Sequence, residues 1–169
     1  VVAGTDNDPQ LVHWSALDNP QSWDADATTQ ADSQDLAGDG GWNQGIVVGL
    51  PGSDAVIFQE RAVWRMMYVG TPLIFQFDQV EGLRGAVSPG SIVQSGGLVF
   101  YRSDDGFYQF DGMTSQRIGH GKVDQWFVDH AELGEQHRIS AAADAARSLV
   151  WWSFKSTSGV NPDQVLVYN

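Results

Sequence analysis

The sequence predicts an all-β protein of the β-propeller class, one domain over residues 1–169 holding about three complete blades and a partial one. Three observations carry this. First, a short apolar segment recurs at Val1-Val2-Ala3-Gly4, Gly45-Ile46-Val47-Val48-Gly49, Ser91-Ile92-Val93 and Arg138-Ile139-Ser140, at steps of 45, 46 and 47 positions from Val1 to Ile46, Ile92 and Ile139. Second, each is followed by a run of one design, an apolar pair, then bulkier residues, then a polar close: Leu11–Ser15, Ala55–Gln59, Leu98–Arg102 and Leu149–Ser153. Third, later segments also correspond: Ala62–Met66, Gly106–Phe110 and Gln164–Tyr168. A period in the forties with several strands per unit is the sequence signature of propeller blades. The same repeat leaves a sandwich of stacked sheets open as the alternative. Because Val1 already reads as part of a repeat, the chain is expected to be a piece of a longer polypeptide and a larger propeller.

In the first unit, a turn over Thr5–Pro9 leads into the strand around Trp14, and Asp18–Trp23 reads as a turn with a buried aromatic anchor. The polar stretch from Asp24 to Gly41 fits a long surface loop, or a short helix in Ser33–Leu36. The second unit has strands near 45–49, 55–60 and 62–69, with Gly52-Ser53-Asp54 as the first hairpin turn. Phe75–Val80 alternates apolar with polar, the pattern of a half-buried outer strand. In the third unit Ser95-Gly96-Gly97 and Ser103–Gly106 punctuate the strands, and Asp111-Gly112 turns the chain into Gln116-Arg117-Ile118. Val123, Trp126, Phe127 and His130 fall at helical spacing before Gly134, so one short helix is expected near 122–132. The fourth unit runs through 138–143, 149–155 and 164–168.

Composition narrows the function. With 21 acidic against 9 basic residues the formal net charge is −12, so the clustered Lys and Arg that neutralise phosphates are missing. Solubility, a saline habitat and a lumen that repels polyanions each account for such a surface. No cysteine is present, which removes disulfides, thiolate metal sites and cysteine nucleophiles. No apolar run reaches the roughly 18 residues of a membrane helix, and no signal peptide is visible, so membrane insertion is not expected.

Candidate chemistry is sparse. His13, His120, His130 and His137 lack the short spacings of a zinc site and read as surface or satisfied core residues. The pairs Asp6 and Asp8, Asp24 and Asp26, and Asp104 and Asp105 could serve a glycosidase, but Asp in turns has a backbone reason to be there. Asp6-Asn7-Asp8 lacks the glycine and distal Glu of an EF-hand loop. Ser103–Tyr108 fails the Asp-box pattern of sialidase propellers, no G-x-S-x-G elbow occurs, and Gly38–Gly41 lacks the Lys of a phosphate loop. No cofactor, metal site or catalytic residue is therefore predicted. Most of the seven Trp fall in strands and read as core between blades. Trp42, in a Gly-rich loop, is the best contact candidate. Trp151 and Trp152, being adjacent, face opposite sides of one strand, so one of them must cover something beyond its own sheet.

Several motifs carry a family resemblance. They are Val56–Arg61 through Trp64-Arg65-Met66, Phe75–Asp78, Arg84-Gly85, Pro89-Gly90-Ser91, Ser103–Tyr108 with Phe110-Asp111-Gly112, and Ile118-Gly119 with Gly121–Asp124. Trp14-Ser15-Ala16 with Asp18-Asn19-Pro20 and Trp23 adds a further match. Together these runs cover most of residues 11–155, and they resemble the β-propeller tail hub or nozzle proteins of short-tailed bacteriophages. The resemblance implies a non-enzymatic virion component of the phage tail, at the head–tail connection. It would form a homo-oligomer, a hexamer, below the portal and adaptor rings. DNA would leave through its channel without sequence-specific binding, and an acidic wall would keep the DNA from sticking during ejection. The first expectation is thus a structural hub piece whose partner contacts include Trp42, Leu73, Arg84 and Trp126. The alternative is a carbohydrate-binding propeller module for host surface glycans, and a glycoside hydrolase comes third.

Overall fold

Strands make up 49% of the chain and helix 10%, so the fold is all-β. The structure, a computed structural model, describes residues 1–5, 7–26 and 28–169. Among the described residues fourteen strands form four antiparallel sheets, each built from consecutive strands. Sheet I holds β1 (Val2–Thr5), β2 (Asp8–Trp14) and β3 (Asp32–Asp35). Sheet II holds β4 (Asn43–Val48), β5 (Ala55–Gln59), β6 (Val63–Gly70) and β7 (Ile74–Glu81). Sheet III holds β8 (Val93–Ser95), β9 (Leu98–Ser103), β10 (Gly106–Phe110) and β11 (Ser115–Arg117). Sheet IV holds β12 (Ser140–Asp144), β13 (Leu149–Phe154) and β14 (Gln164–Tyr168). Among the described residues a single α-helix, α1 (Asp124–His130), lies between sheets III and IV in the chain, within the expected 122–132. No helix among the described residues is long and apolar enough to cross a membrane.

The sheets stack in chain order, and the apolar pattern of the second strands explains why. In a strand successive side chains point to opposite faces, so an uninterrupted apolar run must be buried on both. In β5, Ala55 and Ile57 join Val12 and Trp14 of sheet I and Leu36 just past β3, whereas Val56 and Phe58 join Val99, Tyr101, Tyr108 and Phe110 of sheet III. In β9, Val99 and Tyr101 face sheet II, and Phe100 packs with Val150, Trp152 and Phe154 of sheet IV. Phe58 is the keystone of the middle joint, with its ring 5.1 Å from Tyr101 and 5.9 Å from Phe110. Aromatic pairs at such separations add about 0.5–1.5 kcal/mol beyond their burial. At two of the three joints the first strands also neighbour one another, β1 with β4 and β8 with β12, whereas a groove of about 440 Å³ separates β4 from β8.

Local differences from the expected elements have physical causes. Ser33–Leu36 is not helical; Asp32–Asp35 forms β3, paired residue by residue with Trp14 to Leu11. All four residues of β3 are exposed, so no apolar periodicity marks it and backbone pairing alone decides. Ser91 and Arg138 fall in short 3-10 turns, Pro89–Ser91 and Leu133–Arg138, and β8 and β12 begin later, at Val93 and Ser140. Trp23 is half-buried rather than buried: it stands edge-on to His13 at 5.3 Å, and its Nε1 donates to the Pro20 carbonyl. The turn over Thr5–Pro9 and the Asp6-Asn7-Asp8 segment fall partly on Asp6, which lies outside the described residues.

Two glycines among the resemblance motifs are explained by close approach. A Cβ on Gly85 would overlap the Gln59 carbonyl oxygen, and one on Gly90 would overlap the Ile139 carbonyl oxygen. Both obstacles are backbone, so no rotamer change relieves them. Gly90→Ala should therefore destabilise the chain by about 1–3 kcal/mol, the usual range for overpacking. Urea unfolding checks this; an unchanged midpoint would mean that Pro89–Ser91 can move away from Ile139 without cost.

Candidate assembly surface

Hydrogen-bonded joints tie neighbouring sheets together. Between sheets I and II, Gln59 is fully buried; its Nε2 donates to the Leu36 carbonyl at 3.3 Å and to Asn43 Oδ1 at 3.1 Å. Trp64 Nε1 donates to Gln59 Oε1 at 2.9 Å, and Asn43 Nδ2 donates to the Leu11 carbonyl at 3.1 Å. Between sheets II and III, the Ser115 amide donates to Glu81 Oε1 at 2.9 Å and Arg84 lies 4.8 Å over the Tyr108 ring. Between sheets III and IV, Trp152 Nε1 donates to the Ser91 carbonyl at 3.0 Å. A buried polar group left without a partner costs about 1–3 kcal/mol, so these bonds favour one particular stacking over looser ones.

The densest polar cluster sits at the β9–β10 turn. Asp124, nearly buried at the start of α1, accepts from the Phe107 amide at 3.0 Å and from Arg117 Nε at 2.7 Å. The Asp124 carboxylate, through that hydrogen bond, raises the Arg117 guanidinium above its ordinary value. Arg117 also lies near Asp105, whose Oδ2 takes the Tyr108 hydroxyl at 2.7 Å. Burial first, and the bond to Asp105 second, push the Tyr108 phenol up. Arg102 lies beneath, its guanidinium 5.4 Å from the Phe107 ring and 4.9 Å from the Phe127 ring. The cluster thus fastens α1 to sheet III. The motif residues Gly106, Gly119 and Asp124 meet there, because a Cβ on either glycine would run into the Asp124 carboxylate.

The four expected contact residues do not form one patch. Trp42 is 62% exposed beside the β5–β6 turn, and its amide donates to Glu60 Oε2 at 3.3 Å. Arg84 lies near the same end of sheet II, since the neighbouring Gly85 abuts Gln59, but its side chain is engaged with Glu81 at 3.5 Å and with Tyr108. Leu73 is 67% exposed in the turn between β6 and β7, at the opposite end of β6. Trp126 is partly exposed on α1, stacked on His130 at 4.4 Å and edge-on to Phe154. The adjacent Trp pair divides as expected: Trp152 is buried against sheet III and Trp151 points to the outer face of sheet IV, half-buried.

Acidic residues cluster in turns and on outer strands. Among the first strands β1, β4, β8 and β12, only Asp144 is acidic, while β3 and β7 carry Asp32, Asp35, Asp78 and Glu81. Among the described residues no group of three or more His, Asp or Glu is placed to hold a metal ion. Several turn carboxylates act as backbone caps. Backbone amides hold three of them below the ordinary carboxylate value of 3.8: Thr28 for Asp26, Thr114 and Met113 for Asp111, Ser156 for Asp163. A depressed folded-state value contributes stability above the ordinary value and loses it as pH falls through the lowered one. The thermal midpoint should therefore stay level down to about pH 4 and drop below it; a midpoint that rises on acidification would contradict these caps.

Sequence reasoning missed the joints themselves. Gln59 and Arg102 were visible as the polar residues closing two apolar runs, but nothing in a run says that its polar end is buried. No protein-family model matches this chain, and no curated protein matches it either.

Proposed function

We propose that the chain is an arc of β-propeller blades serving as a structural piece of the tail hub or nozzle of a short-tailed bacteriophage. The observation that carries the propeller is the stacking of four antiparallel sheets in chain order, with first strand β1 beside β4 and first strand β8 beside β12. Wedges arranged this way turn about an axis lined by the first strands. Among the described residues no core cluster joins sheet I to sheet IV, so further blades would be needed to close the ring.

The role rests on the motif resemblance and on what the motif residues do. Gly85, Gly90, Ser91, Gly106 and Asp124 are all spent on joints between elements, which suits a scaffold rather than a catalyst. In this reading six copies form a ring below the portal and adaptor, in contact with other tail proteins, and DNA passes through during ejection. An acidic channel wall would have to come from the turns and outer strands, since the first strands are nearly uncharged. Negative-stain images of the purified chain at high concentration should show six-fold rings. A monomer at every concentration would overturn the assembly.

Exposed Trp42 favours a second reading, a glycan-binding module, because an indole standing in solvent can stack on a sugar face. In the hub reading Trp42→Ala weakens ring formation and a glycan array stays blank. Glycan binding that disappears in Trp42→Ala would favour the module instead.

A further inference from the structure

We propose that Met113 is a modification site: a hydroperoxide converts its thioether to a sulfoxide that Arg65 grips, tightening the joint between sheets II and III. The cluster is built from residues in the middle of the chain and depends neither on ring closure nor on a phage role.

The first observation is a guanidinium short of acceptors. Arg65 lies half-buried in β6 and reaches two turns at once. Its Nη2 donates to the Gly52 carbonyl in the β4–β5 turn and to Met67 Sδ, both at 2.9 Å. Its Nη1 donates to Met113 Sδ in the β10–β11 turn, and its Nε is buried without a partner. Among the described residues no carboxylate lies within 4.0 Å of it. Asp78, its register partner on β7, accepts from Gln76 Nε2 at 2.8 Å instead. A guanidinium carries five donors and a thioether is a weak acceptor, so two of the three bonds Arg65 makes are poor ones.

The second observation is position. The β10–β11 turn of sheet III abuts the β4–β5 turn of sheet II, since a Cβ on Gly112 would stand 3.2 Å from the Pro51 carbonyl oxygen. The Met113 and Thr114 amides both donate to Asp111 Oδ1 at 2.8 Å, which fixes the turn that carries the thioether. The Arg65–Met113 contact therefore spans the boundary between the two sheets.

The third observation is selectivity. Of the three methionines, Met66 is 1% exposed, Met67 is half-buried and Met113 is 54% exposed. In the reaction the Met113 sulfur lone pair attacks one oxygen of hydrogen peroxide and the O–O bond breaks. The proton on the transferred oxygen passes to the departing hydroxide, giving sulfoxide and water; sulfur loses two electrons and the peroxide gains them. Sulfoxides disrupt cores because a polar group enters an apolar space. Met113 stands in solvent, so little packing is lost, and the new oxygen offers Arg65 a far stronger, charge-assisted bond than sulfur does.

The test treats the whole chain with limiting hydrogen peroxide and maps the added oxygen by peptide mass spectrometry. Met113 should react at least about tenfold faster than Met66. The thermal midpoint of the singly oxidised chain should rise by about 2–4 °C, and methionine sulfoxide reductases should return it to the starting value. Arg65→Leu removes the donors and should abolish the rise. Because that variant also loses the tie to Gly52, Met113→Gln provides a second measure: its amide oxygen stands in for the sulfoxide and should raise the midpoint with no peroxide at all. Met113→Leu should not respond to limiting peroxide. A midpoint that stays level or falls when Met113 alone is oxidised would overturn the proposal, as would an equal rise in Arg65→Leu or a lowered midpoint in Met113→Gln. Oxidation of Met66 or Met67 ahead of Met113 would overturn the choice of site.

Discussion

Trp152→Ala should lower the unfolding free energy by about 3–5 kcal/mol, the range for emptying a buried aromatic site. The side chain is 2% exposed, its ring is 4.9 Å from Phe107, and it belongs to the cluster joining β9, β10, α1 and β13. It also makes the Nε1 bond to the Ser91 carbonyl across the sheet III–IV boundary. Truncation therefore opens a cavity and strips a buried carbonyl of its donor at once. Trp152→Phe keeps most of the packing and should cost about 1–2 kcal/mol, chiefly the orphaned carbonyl. The neighbouring Trp151→Ala, on the opposite face, should stay below about 1 kcal/mol, as half-exposed positions usually do. Urea unfolding of the three variants reads the order directly. Equal losses at 151 and 152 would mean that the outer face of sheet IV is covered as deeply as the inner one.

The contrast between these neighbours marks how far the sequence could be read. The runs 55–59, 98–102 and 149–153 are strands because each is apolar enough to need burial on one or both faces, and adjacency in a strand requires Trp151 and Trp152 to diverge. Which of the two faces inward depends on where sheet III lies, and that is a tertiary fact. The same limit applied to β3: Asp32–Asp35 has no apolar face, so its pairing with β2 is invisible to periodicity. The proposed contact residues fared according to the same logic. Exposure of Trp42 and Leu73 follows from their loop setting, but Arg84 folds back onto Tyr108 and Glu81, a destination that depends on residues 24 and 3 positions away.

Arg102 should give the most instructive second result. It closes an apolar run, is 1% exposed, and has no carboxylate within 4.0 Å among the described residues. Its Nη1 donates to the Gly106 carbonyl and its Nη2 to the Asp104 carbonyl, both at 3.2 Å, while its faces rest against Phe107 and Phe127. Burial pulls the guanidinium below its ordinary value, with Asp124 opposing. A charge held this way is costly to desolvate and recovers the cost through carbonyl dipoles and ring faces. Arg102→Ala removes the long side chain and both bonds, and should cost roughly 3–5 kcal/mol. Arg102→Met restores much of the volume without a charge to desolvate and should lie within about 1–2 kcal/mol of the parent. Arg102→Lys keeps the charge but cannot span two carbonyls or stack as a plane, so it should be less stable than the Met variant. Denaturant midpoints of the three decide the matter. The order Met above Lys above Ala means that Arg102 fills space and ties the β9–β10 turn; Lys above Met would mean that the positive charge itself is needed, held in place by Asp104, Asp105 and Asp124 acting at longer range.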